Sequence, residues 1–579
     1  MKHSFITKLT LTLLLLAGVQ SLYAQFRHGH TEPDELYIEV RRPGQLSEDF
    51  PKDMTDRVRV LHLRGSLNND DMRFLRRLAD RLKVVDATGK SVKAYLDLDL
   101  SEARLAQRGL FGGSQTVTTI PASTFSSWRL LRRVILPYTT EVVGERAFAS
   151  CPLLEQVDMP RDVATIEAEA FIYCRHLRHI TLPRDLLAIG DGCFKGCDDL
   201  AEVYLPDALE ALGASAFEDC RSLKQVSIPY RLSVIPAKAF ANTALKNIEI
   251  PDNIVEIGDY AFTSTPITTF HIPATLTRIS VNSLRFCPRL QNIFVEQGNP
   301  NFTDMDGVLY SADGAQLLQV PTTRSGVFSI PEGVRQIEQK ALNSCKGINQ
   351  IDVPATVTSI GAGAFAGTGI SRLTLPAGIK AISDELCYQC SALQEVSIPA
   401  SVAVVGVSAF SKCTSLGTVL LPEGVSQIGK KAFSGCESLT SVQLPLQLTA
   451  IPDELFAGCS KLMATQMHEG ITTIGQRAYY KCTSLTEVSL PKTTKVIGEE
   501  AFRGCKNLTM MKIYEGVQTM ADKMVYDCER LQTFICLCPT PPDVSKVTNE
   551  KTALVVPAAS VEAYKKAKGW KKFRTVSGI

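Results

Sequence analysis

The chain has 579 residues, more than one ordinary domain, and 45% of them are apolar, as in a folded protein rather than a disordered one. Its 62 basic and 60 acidic residues leave a net charge of +2, which argues against a nucleic-acid or polyacidic partner, since either would call for a one-sided basic face.

Residues 1–24 read as a secretory signal: Lys2, His3 and Lys8 precede an apolar run over 9–19, and Leu22-Tyr23-Ala24 supplies a cleavage site. Ala24 suits the last position, although Leu22 is larger than usual two residues before it. The run is shorter than the ~20 residues of a spanning helix, and no cysteine follows it for lipid attachment. The mature chain is therefore expected to be secreted or at the cell surface, facing the periplasm or medium, with no membrane span.

Residues 25–114 are expected to form an α/β amino-terminal cap of degenerate repeat units. Its leader carries His28-Gly29-His30, two histidines read as incidental rather than as a metal site. Val58-Arg59-Val60-Leu61-His62-Leu63 and Leu96-Asp97-Leu98-Asp99-Leu100 alternate like strands, and Met72, Leu75, Leu78 and Leu82 have helical spacing.

A 23-residue phrase then takes over. It is clearest in 416–445, LGTVLLPEGVSQIGKKAFSGCESLTSVQLP, and Cys413, Cys436, Cys459, Cys482, Cys505 and Cys528 follow one another at that period. A fixed period in the twenties means that each unit is one turn of a solenoid, stacked on its neighbours because it cannot bury its apolar side alone. The aromatic slot runs from Phe125 to Leu284 in eight units and from Leu342 to Val525 in nine. Three units are one residue short, and these carry Thr243, Thr265 and Thr368 in the cysteine slot, which suggests an alternative tight turn.

Within L-x-x-V-x-L-P the alternation puts Val and the second Leu on one face and the intervening residues on the other, and the proline ends the strand. The apolar-Gly pair is read as a second short extended segment and turn, and A-F-x-x-C as a tight helical turn whose Phe and Cys point inward. The regular blocks are placed at 115–295 and 331–535. Between them, Ala312-Asp313-Gly314 flanked by two apolar runs makes 296–330 a β-hairpin insert, read equally as a binding protrusion or a spacer. Residues 536–579 form a small carboxyl-terminal cap, with a strand at Ala553-Leu554-Val555-Val556, a helix near 560–568 and Trp570. Its lysines are read as a solvated face.

The fold class expected is thus a repeat solenoid of 22–23-residue period: a parallel β-ladder with short helical turns between two caps. At this point the phrase resembles the BspA-like (treponemal-type) leucine-rich repeat, over about residues 115–535. The amino-terminal cap, the insert containing Asp306-Gly307-Val308-Leu309-Tyr310 and the terminal VVPAASVEAYKKAKGW also resemble segments that accompany these repeats in secreted Bacteroidetes proteins. The resemblance implies a surface or secreted protein, in a family some of whose members adhere to host matrix proteins or to other bacteria. It carries over no binding residue.

Thirteen of the 17 cysteines fall in the repeat slot. Identical slots point their Cβ atoms the same way, so a ladder of buried free thiols acting as small apolar residues is expected, with no hydroxyl partner for a serine placed there. Cys387-Tyr388-Gln389-Cys390 is read as two core slots rather than a redox or zinc pair, and Cys536 and Cys538 as the thiols most open to reaction. No nucleophile elbow, phosphate loop or HExxH occurs, so no enzyme activity, cofactor or metal is assigned.

The function expected is that of an exported binding protein whose solenoid surface adheres to an extracellular protein or glycan. The alternative is an architectural envelope or matrix component without a specific ligand. Candidate ligand contacts are His179, Tyr204, His271 and Phe294 on the outward face of the ladder, flanked by Glu202 and Glu249. His179 and Phe294 are five strands apart, roughly 24 Å at ladder spacing. Exposed aromatics are typical interface anchors; the competing expectation is that Phe294 packs beneath the insert.

Overall fold

The computed structural model describes residues 34–82, 84–85, 91–92, 94–108, 114–548 and 551–579. The expected signal and most of the leader expected over 25–35, residues 1–33 in all, lie outside these. The chain divides into two compact units at Leu232 and Ser233, and the repeat solenoid is the architecture of both.

In the first unit the ladder begins well before the first complete phrase. Strands Glu35–Val40, Val60–Leu67, Leu96–Asp99, Leu131–Ile135, Gln156–Asp158 and His179–Ile180 pair in that order, all parallel. Alternation explains the continuity: Ile38, Leu61, Leu63, Leu98 and Val134 are all buried, so the irregular units present the same apolar face as the regular ones. A second ladder of two-residue strands runs Thr119–Ile120, Val142–Val143, Thr165–Ile166, Ala188–Ile189 and Ala211–Leu212. The helix Asn69–Arg81 starts with a capping box in which Asn68 and Asp71 satisfy each other's backbone donors. Asp71, though buried, is well bonded: it also accepts from the N–H groups of Gly44 and Leu46 at 2.7 and 3.0 Å.

The regular turn is built the same way in both units. Aromatic rings of successive units stack face to face, with centroids 4.7–5.3 Å apart from Phe125 to Phe217 and 5.6 Å apart for Phe410–Phe433. Nearly every x-A-F-x-x-C turn holds two left-handed residues, such as Lys431 and Gly435 (φ 62° and 74°) or Ser408 and Lys412 (φ 54° and 62°). Left-handed backbone costs a non-glycine residue about 1–2 kcal/mol. What offsets it is the next unit: the N–H groups of Lys431, Phe433 and Gly435 bond to the carbonyls of Asp453, Leu455 and Ala457.

The glycine of the apolar-Gly pair has a role that spacing alone did not reveal. A Cβ on Gly429 would overlap the backbone of Gly406 and Val407 in the preceding unit, and one on Gly498 that of Gly475 and Gln476. Close approach of neighbouring backbones, more than a turn, demands glycine there.

All 17 cysteines are free and buried, but the slot is not purely apolar. Cys151, Cys174 and Cys197 donate to the carbonyls of Phe125, Phe148 and Phe171, one unit back, at 2.9–3.3 Å, and Cys436 does so to Phe410 at 3.2 Å. This corrects the expectation that a hydroxyl would find no partner. The short units follow from the same carbonyl. In full units the slot residue closes a turn, as when Leu223 N–H bonds to the Cys220 carbonyl. With one residue fewer that turn has no room, and the hydroxyls of Thr243, Thr265 and Thr368 bond instead to the phenylalanine carbonyl of their own turn at 2.7–2.9 Å. Burial raises the thiols of Cys436, Cys482 and Cys505, and that of Cys459 to about 12, and so keeps these protonated and unreactive. Cys387 and Cys390 both sit fully buried in the core. Cys536 and Cys538, expected to be the most reactive, are buried as well, with Cys536 Sγ 3.1 Å from Tyr564 Oη.

In the second unit, residues 302–319 form a three-stranded antiparallel meander: Phe302–Met305 pairs with Val308–Ser311, which pairs with Gln316–Gln319. Gln316–Gln319 then joins the short-strand ladder in parallel through Gln336–Ile337. At the carboxyl end Thr533–Cys536, Ala553–Val556 and Thr575–Gly578 extend the ladder. Buried Trp570 donates to the Pro542 carbonyl and packs edge-on to Tyr564. Among the described residues no helix is long and apolar enough to cross a membrane.

Candidate binding surface

The surface is built from the outward positions of three-residue strands. In the first unit Glu202–Tyr204 pairs in parallel with Gln225–Ser227, so Glu202 faces Gln225 and Tyr204 faces Ser227, while Val203 between them is buried. Tyr204 is 61% exposed, and its hydroxyl donates to Glu202 Oε2 at 3.3 Å. It lines an open cleft of about 460 Å³ together with Arg184, Asp185 and Arg231. His179 is exposed on its own strand, opposite Gln156.

In the second unit Thr269–Ile272 and Asn292–Val295 place His271 directly beside Phe294, with ring centroids 5.5 Å apart. Phe270 and Ile293 are buried beneath them. The insert meets this strand at its edge, where Ile293 N–H bonds to the Gly307 carbonyl and Val295 N–H to Asp304 Oδ1. It leaves Phe294 40% exposed, so Phe294 does not pack beneath it. Glu249 is exposed between buried Ile248 and Ile250, in a segment with no regular strand. The structure thus brings together Glu202 with Tyr204, and His271 with Phe294. Among the described residues no hydrogen bond, ion pair or ring contact joins His179 or Glu249 to either pair.

Spacing missed the most organised polar cluster, which lies on the outward face of the amino-terminal strands. His62 places Nε2 2.8 Å from Glu35 Oε1 and Nδ1 3.0 Å from Asp99 Oδ2, and the Tyr37 ring stacks on it at 4.1 Å and 3°. Burial disfavours the imidazolium, but hydrogen bonds to Asp99 and Glu35 outweigh it and raise the His62 pKa. Burial likewise works against the Asp99 carboxylate, and its bonds to His62 and Ser101 overcome that and hold its pKa low. Burial and the bond to Glu35 push Tyr37 up to about 12. The readable signal was alternation, which puts His62 and Asp99 on the same outward face as Tyr37. Among the described residues no group of three or more His, Cys, Asp or Glu side chains is arranged to hold a metal ion.

The family model described as BspA type leucine rich repeat region (6 copies) matches residues 112–224, 210–306, 324–440 and 426–540, well over half of the chain. Comparison with curated proteins finds no match. Similar solved structures include a leucine-rich repeat protein from Eubacterium ventriosum ATCC 27560, at 24% identity and a TM-score of 0.45, covering 59% of this chain and 83% of that one. A leucine rich cell surface protein from Faecalibacterium prausnitzii A2-165 is similar at 29% identity and a TM-score of 0.43, with coverage of 62% and 84%. A leucine-rich repeat protein from Bacteroides ovatus ATCC 8483 is similar at 19% identity and a TM-score of 0.30, covering 82% and 90%. With the repeat phrase matched over most of its length, the chain belongs to the BspA-type leucine-rich repeat family.

Proposed function

We propose that the protein is an exported, non-catalytic binding protein that uses the outward faces of its ladders to adhere to an extracellular protein or glycan. The observation that carries this reading is the exposed ring pair His271–Phe294, held in register by two paired strands above a buried core. Tyr204 with Glu202 is a comparable anchor in the first unit, and His179 and Glu249 add polar contacts near these anchors. Aromatics preset by the backbone lose little entropy on binding. Export rests on the signal read in residues 1–24.

The test is capture from host matrix and bacterial surface extracts by the mature chain. Changing His179, Tyr204, His271 and Phe294 together to serine should abolish capture without shifting the melting temperature by more than a few degrees. Capture at parental affinity by that variant would end the assignment of these residues. The second reading, an architectural component, is favoured by the small or polar outward residues Ser397, Ser441, Gln443 and Ser489; it requires that the parental chain capture nothing.

A further inference from the structure

The last regular turn meets the carboxyl-terminal cap through backbone bonds that gather three lysines. The N–H groups of Lys523 and Val525 bond to the carbonyls of Lys546 and Val547, that of Ala553 to Gln532, and that of Arg574 to Thr552. Lys546, Lys551 and Lys572 thereby border one open cleft of about 350 Å³, together with Glu529, Thr548 and Thr552, within the ~300–1,000 Å³ span of small-ligand sites. The whole chain is nearly neutral, yet residues 536–579 hold eight Lys and Arg against three Asp and Glu. Among the described residues none of the three lysines forms an ion pair, whereas Glu529 is already paired with Lys506 at 3.0 Å. Thr552 donates its hydroxyl to the Leu531 carbonyl at 3.1 Å. The hydroxyl of Thr548, a residue only 4% exposed, has no partner among the described residues. Buried polar groups are normally satisfied, so this hydroxyl is a donor left for a ligand.

We infer that this cleft binds a tetrahedral oxyanion ester, sulfate or phosphate, carried on a sugar of an anionic glycan. Sign and shape decide the class. With Glu529 neutralised by Lys506, the cleft presents three unpaired ammonium groups and no free carboxylate among its lining residues, so an anion is favoured and a cation repelled. The ammonium groups are point charges on three separate segments. Together with the Thr548 hydroxyl they suit an oxyanion whose oxygens also point several ways, and no arginine fork lines the cleft to grip a flat carboxylate. A lipid headgroup would need apolar side chains beside the site to enter the bilayer, and a nucleic acid would need open aromatic faces for its bases. Among the described residues from 492 to 578 no large apolar or aromatic side chain is exposed. A glycan needs neither. This site uses none of the residues of the His179 and His271 surfaces, so either assignment can fail alone.

The experiment is isothermal titration calorimetry on the whole mature chain with a heparin hexasaccharide, a chondroitin sulfate hexasaccharide and a phosphomannan hexasaccharide, alongside an oligogalacturonate, an oligothymidylate and phosphatidylserine vesicles. At least one sulfated or phosphorylated oligosaccharide should bind, more weakly as salt rises, and the separate arms tell sulfate from phosphate. Changing exposed Lys551 and Lys572 together to Gln should reduce its affinity about tenfold, and Thr548→Val about threefold. Circular dichroism and melting should show that the variants remain folded. Changing exposed Lys566 and Lys568, which do not line the cleft, together to Gln removes the same charge and should cost less than about threefold, because screening weakens distant charges. The inference is overturned if no sulfated or phosphorylated oligosaccharide binds, if the two double variants weaken binding equally, or if oligogalacturonate, oligothymidylate or the vesicles bind more tightly in a way that depends on Lys551 and Lys572.

Discussion

The repeats around 408–459 and the strands between Glu35 and Asp99 obey one inward rule and two outward ones. Inward, both bury every second apolar residue, Val419 and Val442 in the first case, Ile38, Leu61 and Leu98 in the second. Outward, the regular repeats show mostly small or polar residues, whereas the amino-terminal strands assemble Tyr37, His62, Glu35 and Asp99 into a hydrogen-bonded cluster. Burial dictates the inward choice wherever the ladder runs. The outward choice is free of that constraint, and hydrogen bonding and charge, rather than burial, select the residues of the cluster.

The sharpest way to break this comparison is in the core. Phe433→Ala removes a ring stacked between Phe410 and Phe456 and should cost about 3–5 kcal/mol in denaturant unfolding of the whole chain. Tyr37→Ala should cost about 1 kcal/mol or less, its ring being stacked on one side only. Equal losses would mean that Tyr37 is a core residue.

Next in size is Gly429→Ala. Its Cβ would be forced into the backbone of the preceding unit, an overpacking penalty of about 1–3 kcal/mol, while alanine at half-buried Gly417, where nothing lies within 4 Å of a Cβ, should be nearly neutral. Comparable melting of the two variants would remove close approach as the reason for the glycine.

Cys436 offers a finer test. The Phe410 carbonyl that accepts from its thiol is also available to a hydroxyl, so Cys436→Ser and Cys436→Ala should lie within about 1 kcal/mol of each other. A serine variant less stable than alanine by twice that would show that the carbonyl is out of reach.

The smallest effect concerns the cluster and depends on pH. The folded-state pKa of His62 is raised above its ordinary 6.5, so its contribution is fully present below that value and is lost as pH rises through the folded pKa. The melting gap between the parent and His62→Gln should therefore be wide at pH 6 and narrow toward pH 10. A gap that grows with pH would reverse the assignment.

Much of the fold was legible because the phrase repeats: the Phe, Cys and Val slots are the residues that stack, and helix Asn69–Arg81 lies where Met72, Leu75 and Leu78 placed it. Three features were not legible, each for a physical reason. The strand Glu35–Val40 carries no phrase, and its pairing depends on partners distant in sequence. The meander has a third strand, Phe302–Met305, whose polar composition gives little alternation to read. The left-handed positions accept Lys, Ser, Arg and Glu as well as Gly, because bonds from the next unit fix them rather than local preference. Of the candidate surface, outwardness could be read at His179, Tyr204, His271 and Phe294, but not which of them touch. The contact of His62 with Glu35 and Asp99 required the register of three strands.

Those forward-pointing hydrogen bonds also set a timetable for synthesis. The donors of most A-F turns close on carbonyls 21 or 22 residues further along the chain, as Phe240 does on Ala261 and Phe433 on Leu455. A turn emerging from the ribosome therefore waits for its successor before its left-handed backbone is held, and the growing array stays one unit behind its own leading edge. The last regular turn is completed by the carboxyl-terminal segment, where Lys523 and Val525 bond to the carbonyls of Lys546 and Val547, so that segment acts as the stop that lets the final unit settle.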